Sequence, residues 1–292
     1  MNGNDYWVAG PSAWRKETPA EIGQRFVHTL DRLSTINRNF RSWGFLGMDL
    51  SQEQLEALKD SSPEELGLKA RDLPLEEWRS RMTEIVEQGV VTDDYGEPEP
   101  ALGYGVHAFD DWQNVRERTT RVEVNVHGGG NPNTWRRAGF RTAMGVDPDP
   151  EIVTYPVIKS VLLTLVSDWD LTYALACCSA LSKEWDYPAL NFDLQWLTYL
   201  SAPLAEQITP PGDVLVEKMS RGSLLLIAAE ETFDAANRQH MAAAERIRDA
   251  LAPLNDLPGH KKRKHELAEN WRRMKASGFP GELVTGRRKP FP

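Results

Sequence analysis

Apolar residues recur along this chain with two periods, and the change between them organises it. Ile22, Phe26, Leu30 and Leu33 fall three or four residues apart, the spacing that lines one face of an α-helix. Thr18-Pro19-Ala20-Glu21 stands just ahead of them as a helix start. Threonine takes the N-cap, proline the first turn, and glutamate closes a capping box. A second stripe of Leu75, Trp78, Met82 and Ile85 predicts a helix over 75–88, with Gly89 at its C-terminal cap. Ser51 with Gln54, and Ser62-Pro63 with Glu65, supply two further capping signatures. The first ~90 residues therefore read as largely helical, after a short strand at Tyr6–Ala9.

Beyond the acidic, turn-rich stretch TDDYGEPEP at 92–100 the period drops to two. Leu102, Tyr104, Val106 and Ala108 alternate, and Val122, Val124 and Val126 alternate with Arg121, Glu123 and Asn125. With a third strand predicted over 135–143, these make an antiparallel meander. Residues 154–169 are apolar nearly all round, as a buried helix is. Strands follow at 171–178, 196–200, 214–219 and 223–228, then a helix over 234–251 stopped by Pro253. A last helix is expected over 260–277, with Leu267, Trp271 and Met274 on one face and Gly278 at its cap. No internal repeat or low-complexity linker interrupts the chain. The reading is an α/β fold of the α+β type: a single domain, 1–257, with a mixed, largely antiparallel sheet flanked by helices, followed by a basic helical tail, 258–292.

Charge sharpens this division. The chain has 292 residues and a formal net charge of −9, but Pro258 onwards carries ten Lys and Arg against three Asp and Glu. The preceding 257 residues hold 24 basic and 40 acidic side chains, a net of −16. Such a body repels nucleic acid and steers basic partners towards itself. Cys177 and Cys178 are adjacent in an apolar stretch, where disulfide geometry is strained, and they fit a reducing cytoplasm. No apolar run approaches the ~20 residues of a bilayer span, and MNGNDYWVAG has neither the basic nor the apolar region of a secretory signal. A cytoplasmic protein without membrane contact is expected.

Several motifs imitate chemistry. His127-Gly128-Gly129-Gly130 matches an oxyanion-hole string of some esterases, yet no serine has glycine at both −2 and +2, as the nucleophile elbow requires. A strand-ending turn is the expected reading. Gly103-Tyr104-Gly105-Val106-His107-Ala108 falls inside an alternating strand, not between a strand and a helix as a dinucleotide fingerprint must. Asp147, Asp149 and Glu151 are close enough in sequence to chelate a cation, but their interleaved prolines suit a rigid solvated turn. No metal or cofactor is expected. Two alternatives stay open: a metal-assisted hydrolase using His127 with Asp147 and Asp149, and a nucleic-acid-binding protein acting through the His-Lys-Lys-Arg-Lys-His run of the tail. Of ten tryptophans, Trp78 and Trp169 fit apolar faces, whereas Trp14, Trp112, Trp135 and Trp185 sit in polar surroundings where a side chain can anchor a protein interface.

A set of short motifs then recurs in a particular order. It comprises Tyr6-Trp7; Lys16-Glu17-Thr18 with Glu21; Phe40 and Trp43; Val124-Asn125-Val126-His127-Gly128; Trp169-Asp170; Trp196 to Leu200; and Gly222 through Phe233, Asp234, Asn237 and His240. Over roughly residues 5–255 this order resembles the immunity protein 52 family of bacterial polymorphic toxin systems. The resemblance implies a non-enzymatic antitoxin that binds a cognate toxin with a restriction-endonuclease-like nuclease domain. It also implies that the matched residues keep the fold. The chain is not itself that nuclease, since no lysine has Asp or Glu two positions before it. A nuclease cleft is basic because it holds phosphates, so exposed acidic clusters are the candidate contacts: Asp93, Asp94 and Glu97 in one loop, and Asp110 and Asp111 beside Trp112.

Overall fold

The computed structural model describes residues 6–45, 73–74, 78–92, 97–109, 122–132, 137–142, 149–181 and 192–257. The expected capping signatures at Ser51 and Ser62, and the tail helix, lie outside them. The chain groups into two compact units, residues 1–93 with 97–176, and residues 94–96 with 177–292.

In the first unit, β1 (Tyr6–Pro11) leads to α1 (Pro19–Ile36), β2 (Ser42–Phe45), β3 (Leu73–Pro74) and α2 (Met82–Gln88). There follow β4 (Tyr104–Phe109), β5 (Val122–Gly128), β6 (Arg137–Thr142), α3 (Tyr155–Trp169) and β7 (Tyr173–Cys178). The strand order is β3-β2-β4-β5-β6-β1-β7, and the unit boundary falls within β7. Every pairing from β3 through β1 is antiparallel, with Val106 opposite Val126, Val124 opposite Phe140 and Val8 opposite Phe140. The first ~90 residues thus contribute strands to this sheet as well as helices.

One sheet face is apolar because Val8, Val106, Ala108, Val122, Val124, Val126, Ala138 and Phe140 all point the same way, and all are buried. Helix α3 packs on β1 and β6, α2 packs on β4, and α1 packs against both helices. The predicted stripe of α1 is fully buried: Ile22, Phe26, Leu30 and Leu33. Its capping box is complete, Thr18 Oγ1 accepting from Glu21 N–H at 3.3 Å and Glu21 accepting from Thr18 N–H at 2.8 Å. Phe40 is wedged between Trp43 and Phe140, at ring-centre distances of 6.3 and 5.6 Å.

Two details of α2 differ from the sequence reading. Within it Met82 and Val86 are buried and Ile85 is only half-buried, while buried Trp78 lies in the turn ahead of it. Gly89 is the C-terminal cap as expected, but with φ −86°, not in the left-handed conformation glycine often adopts there. It is glycine because a Cβ would stand 1.9 Å from the carbonyl oxygen of Gly105, whose N–H donates to Gly89 O at 2.7 Å.

The second unit carries β8 (Leu197–Leu200), the short α4 (Ala202–Ala205), β9 (Leu215–Lys218), β10 (Leu224–Ile227) and α5 (Arg238–Leu251). Its strands run antiparallel in the order β8-β10-β9. Helix α5 starts four residues later than its periodicity predicts, because Asn237 caps it by accepting from Gln239 N–H at 2.9 Å. Pro253 follows in a 3-10 turn, as expected. The mixed α/β class with a largely antiparallel sheet is as the alternation predicts.

Candidate functional site

Three of the ordered motifs meet at one place in the first unit. After β1 the chain runs as a strap over residues 12–18. Ala13 N–H donates to Asp170 O at 3.2 Å, Thr172 N–H donates to Pro11 O at 3.2 Å, and Ser12 bridges Leu171. Asp170 ends α3 in the left-handed region, φ 47° and ψ 49°, a conformation that costs a non-glycine residue. On the other side, β5 ends in Gly128, and Gly129 and Gly130 turn the chain with φ 66° and 73°. A Cβ on Gly129 would lie 3.3 Å from both Glu17 O and the Ile22 side chain. The glycines therefore let the turn close onto the start of α1, and the predicted strand-ending turn is what the structure contains. Trp14 Nε1–H donates to Gly130 O at 3.3 Å.

Charges fill the space beneath the strap. Arg25 Nη2 lies 2.6 Å from Glu17 Oε2, with side chains only 14% and 8% exposed. The guanidinium also stacks on the Trp169 ring, 4.1 Å from its centre. Asp170 pairs with Arg15 at 2.5 Å and lies 4.0 Å from Arg25. Trp169 Nε1–H donates to Thr29 Oγ1 at 3.0 Å, and that hydroxyl is 3.1 Å from Asp168 Oδ2. Asp168 is further paired with Arg32 and has His28 at 3.9 Å. Burial pushes the Glu17 carboxyl above its usual range despite Arg25 and Arg15, and burial lowers Arg25. The cluster holds these charges in place through ion pairs and hydrogen bonds. Its outer rim, Ala13 to Lys16, is exposed.

A second polar group lies on the sheet face opposite the helices. Glu123 is 6% exposed, and its carboxylate is 2.8 Å from His107 Nδ1. An ionised carboxylate only accepts, so Nδ1 carries the proton. Arg141 stands opposite Glu123 in the register of β5 and β6. Against the cost of burial, His107 and then Arg141 and Arg137 hold Glu123 below the usual carboxylate range. In the second unit, buried His240 accepts from Asp234 N–H at Nδ1, 3.0 Å, so its Nε2–H donates to Glu231 at 2.7 Å. This explains the Phe233, Asp234, Asn237 and His240 motif as a clamp on the loop before α5.

Of the sequence candidates, Asp93, Asp94, Asp110, Asp111 and Trp112 lie outside the described residues, and Glu97 is exposed. The hydrolase candidates are engaged locally. His127 Nε2 is 3.1 Å from Leu102 O, and Asp149 accepts from Glu151 N–H at 2.8 Å, while Glu151 pairs with Arg38. Asp147 lies outside the described residues, as do Trp135 and Trp185. Among the described residues no group of three or more His, Cys, Asp or Glu is placed to hold a metal ion. Cys177 and Cys178 are free and buried, and burial raises both thiols, which disfavours the reactive thiolate. Trp78 and Trp169 are buried as predicted, and Trp14 is exposed. Sequence reasoning missed Arg25 and the His107–Glu123 pair. Arg25 lies one residue before Phe26 and off the apolar stripe, and His107 and Glu123 become neighbours only through strand register.

Residues 141–255, less than half of the chain, match the family model of Immunity protein 52. The motifs from Tyr6 to Gly128 lie before that match. Among solved structures, a Pseudomonas aeruginosa T6SS protein is similar at 8% identity, with a TM-score of 0.46, over 98% of this chain and 90% of that one. None of the curated proteins matches. Among the described residues no helix is long and apolar enough to cross a membrane.

Proposed function

We propose that this chain is an immunity protein, a non-enzymatic antitoxin that binds a cognate toxin and neutralises it. The observation that carries the reading is the match of residues 141–255 to the Immunity protein 52 model. Within such proteins the motif order most resembles TsiT, the immunity partner of the type VI secretion effector TseT. The partner is accordingly a type VI nuclease effector with a restriction-endonuclease-like domain, inhibited in the cytoplasm of the producer and its sister cells. The body, 1–257, is the inhibitor, and the basic segment 258–292 is an appended tail. The net charge of −16 on the body supports electrostatic steering towards a basic nuclease cleft. Asp93, Asp94, Glu97, Asp110 and Asp111 are the proposed acidic contacts, with Trp112 beside the last two. An interface above ~1,000 Å² is expected for such an inhibitor.

The experiment is a pull-down from the native lysate with the tagged full chain, followed by mass spectrometry and a nuclease assay. One effector with a nuclease domain should be recovered in stoichiometric amount, and a 1:1 mixture should leave DNA intact. If DNA is degraded as fast by the mixture as by the effector alone, the reading is wrong.

A further inference from the structure

We propose that Trp14, with Lys16 and Arg15 beside it, is a preformed anchor that docks into an apolar pocket rimmed by carboxylates on the effector. Two large hydrophobic side chains are exposed among the described residues, Trp14 at 45% and Leu215 at 41%. Leu215 sits on a short strand with no polar handle, whereas Trp14 is held. Its indole N–H is committed to Gly130 O, its strap is tied by Ala13 N–H to Asp170 O, and Arg15 is locked to the Asp170 carboxylate. Asp170, in the left-handed region, supports the strap through Ala13 and Arg15, and the turn at Gly129 and Gly130 places the carbonyl that the indole meets.

An aromatic side chain already fixed in place has little rotamer freedom left to lose on binding. Tryptophan and arginine are also the residue types most enriched at the energetic centres of interfaces. The charge around the ring specifies the partner. Glu17 points inward to Arg25 and Asp170 is occupied by Arg15, so the strap's acids are internally neutralised. Lys16 is exposed, with no ion pair among the described residues. Once Arg15 is paired with Asp170, the strap presents one unpaired cation, Lys16, two residues from the exposed ring, on a chain whose formal net charge is −9. That local reversal is complementary to carboxylates surrounding an apolar pocket, and distinct from the acidic loops assigned to the basic cleft.

The inference rests on the immunity reading for the partner's identity only. The test compares the full chain with Trp14→Ala and Lys16→Glu, using the effector captured by the wild type and measuring Kd by calorimetry. Thermal melting of each variant is followed in parallel. Trp14→Ala should weaken binding by about 30-fold or more, the threshold of a hot spot. Lys16→Glu, whose exposed side chain supports nothing internally, should melt like the wild type and bind about tenfold more weakly. Its defect should shrink as salt is raised. Both variants binding within twofold of the wild type would overturn the anchor while leaving the immunity reading intact. Failure of the wild type to retain any effector would overturn both.

Discussion

Two carboxylates are buried at opposite ends of β5, Glu123 within the strand and Glu17 against its terminal glycines, and their surroundings move them in opposite directions. Glu123 has one short bond, from His107 Nδ1, and the attraction of Arg141 and Arg137. Together these outweigh burial. Glu17 has an equally short contact, 2.6 Å to Arg25, yet burial prevails. Its cation is itself desolvated and is shared with Asp170, while Glu21 and Asp170 repel it. A short ion pair is therefore a poor guide to net stabilisation; what matters is how many groups compete for the cation and how far both are removed from water.

The signs of the pH dependence follow. Glu123 is lower in the folded state, so its stabilisation is present above the ordinary carboxylate pKa of 4.5 and is lost as pH falls through its lowered value. Glu17 is raised, so folding disfavours its ionised form at neutral pH, and that cost disappears as pH falls through its raised value towards 4.5.

The comparison breaks most visibly at Arg25. Arg25→Met leaves Glu17 buried without its cation, and a loss of about 3–5 kcal/mol is expected in urea unfolding at pH 7. Part of that loss should be recovered on acidification, as Glu17 takes up a proton; an equal loss at neutral and acidic pH would show that packing on Trp169, not charge, is responsible. At the other end, His107→Ala removes the short bond to Glu123 and should cost about 1–3 kcal/mol. It should also make the acid limb of the stability profile resemble that of the Glu17 end, and an unchanged acid limb would contradict the role given to His107. The smallest effect is expected from Thr18→Ala, about 1 kcal/mol for the lost cap. Since it leaves both buried carboxylates in place, its cost measured by thermal melting should be confined to α1 and leave the contrast between the two ends intact.

Much of the fold was legible in the chain. The capping box at Thr18 and the stripe through Leu33 placed α1, and strict alternation placed β4 and β5. The limits are as informative. Gly89 caps its helix as its position predicts, but what requires glycine there is the close approach of Gly105 on β4, which the sequence does not show. Periodicity extended α5 back to Asp234, where His240 instead draws that residue's N–H into a loop. The glycine run after His127 was readable as a turn, while the group it closes upon, Glu17, was not.

What the sequence determined by itself were the features set by neighbours a few residues apart: the helix and strand periods, the caps, the stops at proline and the acidic body with its basic end. These follow from backbone geometry and local hydrogen bonding, which act over one or two turns. Only the tertiary structure decided that Trp14 meets Gly130, that Arg25 lies between Glu17 and Trp169, and that His107 reaches Glu123. Those contacts depend on strand register and on which helix faces cover the sheet, so they join residues whose spacing in the chain carries no trace of their nearness.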